Sequence, residues 1–207
     1  PVGAKADFPK LDRHFAGRLE MKLPQIKTVR LTKSYIAPSF NTNREAVYPL
    51  LVLSAYLGEG ETSKLYKKLV LEEKNALGVS VAYDFASRSY SGFSISAMPK
   101  EDVDAKAFET ALDKAVKEAL AEISVEEIEK TKGKMLAGQV YLRDNPNDAA
   151  YIAGSMAAVG MSVEDIENHA DNIRKVSAGD VRKAAEKLFG RVINVTGVIK
   201  PEKEEGR

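Results

Sequence analysis

Apolar residues along this chain recur at a period of two in some stretches and near 3.6 in others, and the switches divide it into elements. Val29, Leu31, Tyr35 and Ala37 alternate with Arg30, Thr32, Ser34 and Ile36, which predicts a strand with one buried face, ended by Pro38. From Glu45 to Leu57 the chain is apolar almost all round, through Val47, Leu50, Leu51, Leu53 and Leu57, so a deeply covered helix is expected. Pro49 fits such a helix only near its first turn, where a missing N–H costs little. Gly58 and Gly60 make a tight structural turn, and an amphipathic helix is expected from Ser63 to Lys74, capped by Thr62 or Ser63. Its Leu65, Leu69 and Val70 share one side, while Lys64, Lys67, Lys68 and Glu72 face water.

Val79, Val81, Tyr83 and Phe85, then Phe93, Ile95 and Ala97, repeat at period two around Ser87-Arg-Ser and predict an antiparallel hairpin. Phe108, Ala111, Leu112, Ala115, Val116, Ala119, Leu120 and Ile123 give the cleanest helical period. Ser124-x-x-Glu127 predicts a capping box for the next helix, which Arg143-Asp-Asn-Pro146 breaks. A helix of small residues from Asp148 to Val159 ends at Gly160, Ser162-x-x-Asp165 and Ser177-x-x-Asp180 cap two more, and Gly190 stops the last. A closing strand runs from Val192 to Ile199. Four strands with helices bunched between them predict an α+β fold, a mostly antiparallel sheet covered on one face by helices. Residues 1–25 have no sustained period and read as a linker or arm, residues 26–201 as a single domain, and residues 202–207 as a charged tail.

Composition narrows the functions. The 207 residues are 44% hydrophobic and 29% charged, ordinary for a globular chain. Lys and Arg total 31 against 30 for Asp and Glu, so no basic field exists to collect phosphates and nucleic acid is not an expected partner. The absence of cysteine excludes disulfides, thiolate metal sites and cysteine nucleophiles, and it fits the bacterial periplasm and the cytoplasm equally. The longest apolar run, Ala46 to Leu57, is too short for a membrane span of ~20 residues. The chain opens with Pro1 rather than Met, so a piece of a longer protein is expected.

Candidate chemistry is sparse. A catalytic zinc takes about three protein ligands, usually His with a carboxylate. His14 and His169 are the only histidines, and neither has an i, i+4 partner. Gly58-x-Gly60 is not a phosphate cradle: a helix precedes it, the Gly-Lys-Ser/Thr of a P-loop is missing, and Glu59 and Glu61 repel phosphate. The pairs Glu126/Glu127 and Glu72/Glu73 fall on solvated faces, and Gly-x-Ser-x-Gly is absent. Tyr83, Phe85, Tyr90 and Phe93 have only Arg88 beside them, so core packing is expected in place of RNA stacking. Arg143 is read as a cap or ion-pair partner at its helix end, with substrate contact as the alternative. No catalytic residue and no metal ligand is assigned.

Several segments together resemble the C-terminal domain of the pitrilysin/insulinase-type zinc metallopeptidases, which include mitochondrial processing peptidase. They are Pro49-Leu-Leu-Val-Leu-Ser-Ala-Tyr-Leu-Gly58, Gly60-x-x-Ser63-Lys-Leu-Tyr-Lys-Lys-Leu69 and Ala76-Leu-Gly-Val-Ser80. Glu126-Glu-Ile-Glu-Lys130, Val176-Ser-Ala-Gly-Asp-Val181 and Val195-Thr-Gly-Val-Ile-Lys-Pro201 follow in the same order, so the resemblance runs from Val29 to Pro201.

The resemblance implies a peptidase-lobe layer architecture and a parent with two similar α+β domains. The first holds zinc through His-x-x-Glu-His, whose glutamate activates water. The second lacks that motif, as this chain does, and two such halves close around an unfolded peptide. Implied partners are therefore an N-terminal zinc-binding domain, a second homologous half or subunit, and a peptide substrate. Zinc belongs to the parent, and this chain alone is expected to be inactive. Some members carry an Arg and a Tyr near the second hairpin strand to hold substrate. Ser91-Gly-Phe-Ser-Ile-Ser-Ala-Met-Pro-Lys-Glu-Asp-Val103 has neither, which implies a zinc-bearing half or an inert one. Processing peptidase has a longer glycine-rich loop where Gly58 to Thr62 stand here, so a substrate-handling role for this shorter turn is not expected. An inert structural subunit resembling a respiratory-complex core protein and a stand-alone binding module are the other readings.

Overall fold

The computed structural model describes residues 16–143, 146–190 and 194–202, and the side chains of these apart from residues 139–149. Strands β1 (Gly17–Leu23) and β2 (Arg30–Ala37) precede helix α1 (Arg44–Gly58), then the short α2 (Lys64–Tyr66), which widens into a π-helical stretch over Lys67–Glu72. A hairpin follows, β3 (Ala76–Tyr83) and β4 (Ser91–Pro99), and then α3 (Ala105–Ala121) and α4 (Val125–Arg143). Helices α5 (Pro146–Ala158), α6 (Val163–Glu167), α7 (His169–Lys175) and α8 (Ala178–Phe189) lead to β5 (Asn194–Pro201).

The five strands form one sheet in the order β1-β5-β2-β4-β3, antiparallel except for the β1–β5 pair. The α+β reading holds, but the strand count does not. The fifth strand, β1, lies in the segment read as an arm, and Gly17 to Leu23 pair with Val195 to Pro201. A parallel pairing across almost the whole chain leaves no local turn signal, and β1 buries little, with Leu19 59% and Met21 46% exposed.

One face of the sheet carries the helices. Leu31, Tyr35 and Ala37 of β2, Phe93, Ile95 and Ala97 of β4, and Val198 of β5 meet Leu53, Leu57, Phe108 and Leu112 in the core. Lys33 shares that face, between Leu31 and Tyr35, and is only 6% exposed. It is held by Asp113 and, at 3.4 Å, by Glu109, which also binds Arg18 of β1. Burial pushes the Glu109 carboxyl up, but the Arg18 hydrogen bond and the nearby Lys33 charge prevail and hold it below the usual carboxylate range.

Several local expectations are refined. Pro49 sits in the second turn of α1, where it removes the bond to the Glu45 carbonyl. Asp104, unremarked in the sequence, caps α3 by accepting from the N–H groups of Lys106 and Ala107. Ser162 with Asp165 and Ser177 with Asp180 form complete capping boxes. The helix expected from Ser63 to Lys74 is not uniform: Glu73 N–H reaches the Lys68 carbonyl at 2.9 Å, and Lys74 leaves at φ 53. This wider turn keeps Leu65 and Leu69 buried together while aiming the chain into β3.

Candidate functional site

Three regions bear on function: the α1–α2 junction, the uncovered face of the sheet, and the histidine at the start of α7.

At the junction, Gly58 is the last residue of α1, and a Cβ there would fall on the backbone nitrogen and side chain of Val81. Gly60 takes φ 74, the left-handed region that favours glycine. Ser63 stands at the N-cap position of α2, but its hydroxyl donates back to the Gly60 carbonyl at 2.8 Å and caps nothing. The turn is thus closed within itself, since the Ser63 N–H also donates to the Gly60 carbonyl, at 3.2 Å.

Among the described residues, no helix packs on the opposite face of the sheet. Leu19, Gly197, Thr32, Ser96 and Ser80 form one row across the five strands, and Gly17, Val195, Ser34, Ser94 and Ala82 form the next. Thr32 Oγ1 and Ser96 Oγ lie 3.1 Å apart. Larger apolar side chains, Leu19, Met21, Ile36 and Met98, stand exposed towards the margins. Among the described strand positions on this face, Arg30 is the one charged residue. The surface is therefore shallow, and little charge would be desolvated if a chain lay on it.

His169 is stacked against Phe85, with ring centres 5.5 Å apart, and tilted against Tyr48 at the same separation. Among the described residues, neither its buried Nδ1 nor the buried Tyr48 hydroxyl has a hydrogen-bond partner. Burial holds the imidazole pKa below its ordinary value and raises that of Tyr48. Nothing aligned beside His169 makes it a ligand: among the described residues no group of three His, Cys, Asp or Glu side chains could hold a metal. A zinc ion does not fit these residues. His14 and the side chain of Arg143 lie outside the described residues; Arg143 itself closes α4. The carboxylates Glu72, Glu73, Glu126 and Glu127 do not converge on a cleft with a base. Glu72 and Glu73 share Lys68, while Glu127 pairs with Lys64.

The family model described as the peptidase M16 inactive domain matches residues 4–135. The chain belongs to this family. As an M16 inactive domain it shares its fold with a protease from Helicobacter pylori (TM-score 0.80, 20% identity), covering 93% of this chain and 45% of that one. It is also similar to the inactive peptidase domain of a protein named as a zinc protease, from Bordetella parapertussis (TM-score 0.72, 20% identity, 87% and 94% covered). A chain of the Candida albicans complex III2 has the same fold (TM-score 0.71, 10% identity, 91% and 46% covered). This M16 domain therefore spans under half the length of the H. pylori protease but nearly matches the Bordetella domain in size. No curated protein matches the sequence. Among the described residues, no helix is long and apolar enough to cross a membrane.

Proposed function

We propose that this M16 domain is the non-catalytic, substrate-enclosing part of a zinc endopeptidase whose metal is held by a different domain. The uncovered sheet face carries this reading. It has small and hydroxyl-bearing residues in its centre, exposed Leu19, Met21, Ile36 and Met98 around them, and, among the described strand positions, a single charge at Arg30. Such a face accepts an extended peptide of varied sequence, because it neither clashes with side chains nor demands a charge partner. The zinc-bearing domain supplies the chemistry, and this domain supplies position and exclusion of water. The N-terminal zinc domain, a second homologous half and a peptide are its partners in this reading.

The test uses the isolated chain, a domain of the size seen alone in the Bordetella structure. Metal analysis after incubation with zinc is expected to find well under one ion per chain, and fluorogenic peptides are expected to stay intact. Stoichiometric zinc, or turnover by the chain alone, would overturn the proposal. The structural likeness to a complex III2 chain supports a second reading, an inert core subunit. A His-x-x-Glu-His motif elsewhere in the parent protein separates the two, since only the peptidase needs it.

A further inference from the structure

The α1–α2 turn does not bind phosphate through its glycines, yet helix α4 brings lysines onto it that are distant in sequence. A cleft of about 230 Å³ lies between the turn, α2 and α4. Lys64 from α2, Lys67 from the π-helical stretch after it, and Lys130 and Lys134 from α4 line it together with Thr62, Glu59 and Glu127. Lys64 is already neutralised by Glu122 at 2.9 Å and Glu127 at 3.6 Å. Among the described residues, no carboxylate pairs with Lys67, Lys130 or Lys134, which leaves three ammonium groups against Glu59. With Glu122 counted beside Lys64, four lysines meet three glutamates, so the cleft and its rim keep an excess of one positive charge.

Lys134 Nζ donates to Thr62 Oγ1, so the Thr62 hydroxyl proton stays free to point into the cleft. Like charges gathered in one cleft repel, and a compact anion relieves that repulsion while accepting several charge-assisted hydrogen bonds at once. We infer that this cleft binds a small oxyanion of the phosphate type, held by Lys67, Lys130, Lys134 and the Thr62 hydroxyl. Its volume admits phosphate or pyrophosphate, not a folded partner. Bound there, the anion ties α2 to α4 across the junction. The site is independent of the enclosure reading above, since it neither faces the uncovered sheet nor involves zinc.

Titration of the chain with inorganic phosphate and with pyrophosphate at constant ionic strength, followed by amide NMR, tests this. Saturable shifts are expected around Thr62–Lys67 and Lys130–Lys134, with chloride producing none. Lys130→Gln combined with Lys134→Gln is expected to raise the half-saturating concentration about tenfold or more, as for loss of a charge-assisted contact. Both positions are exposed, so the fold is expected to persist, and an unchanged spectrum away from the cleft checks it. Shifts that chloride reproduces, that never saturate, or that survive the double substitution would overturn the inference. Binding of a glutamate-rich peptide without binding of either phosphate would overturn it too, in favour of a peptide-carboxylate site.

Discussion

At Gly58 the last turn of α1 lies against the backbone of Val81, so even a methyl group there must displace β3 or lift the helix. Gly58→Ala is expected to destabilise the domain by about 1–3 kcal/mol, the usual cost of overpacking, measured by urea unfolding. An unchanged midpoint would mean that the contact yields without cost. His169 is the second residue with a distinct signature. Its neutral form is favoured in the folded state, because burial lowers its pKa below the unfolded value of about 6.5. The stability linked to it is full above pH ~6.5 and is lost as pH falls from there towards the folded pKa. Unfolding midpoints are therefore expected to drop between pH 7 and 5. His169→Gln, which cannot titrate, is expected to flatten that slope.

Among the elements, α4 and α7 are joined by a buried lysine. Lys132, 4% exposed, donates to the Arg174 carbonyl at 2.8 Å and the Val176 carbonyl at 2.9 Å, closing the end of α7. Lys132→Met leaves these acceptors without a partner in a buried place and is expected to cost about 2 kcal/mol in equilibrium unfolding. This side chain was not legible in the sequence, where a lysine inside a helix reads as solvated; its carbonyl partners come from a segment more than forty residues away. Lys33 escaped the strand reading for the same reason, since its carboxylate partners belong to α3. By contrast, α1, α3, the β3–β4 hairpin and the boxes at Ser162 and Ser177 were legible, because period and capping are written within a few adjacent residues. The π-helical turn and β1 were not, since packing and a distant strand decide them. Of the candidate site, the turn at Gly58 and Gly60 could be read locally. The lysine cleft beside it could not, because α2 and α4 contribute its residues jointly.

For the whole molecule, the sheet divides the domain into a helix-covered side that makes most of its stability and an open side on which no described helix packs. The enclosure proposal assigns the peptide to the open side. Photo-crosslinking in the full parent protein tests it directly, with a photoreactive side chain at Ser96 on the open face and, separately, at Glu186 on α8 of the covered side. A bound peptide substrate is expected to be captured from Ser96 and not from Glu186. Equal capture from both positions, or capture from Glu186 alone, would contradict the account.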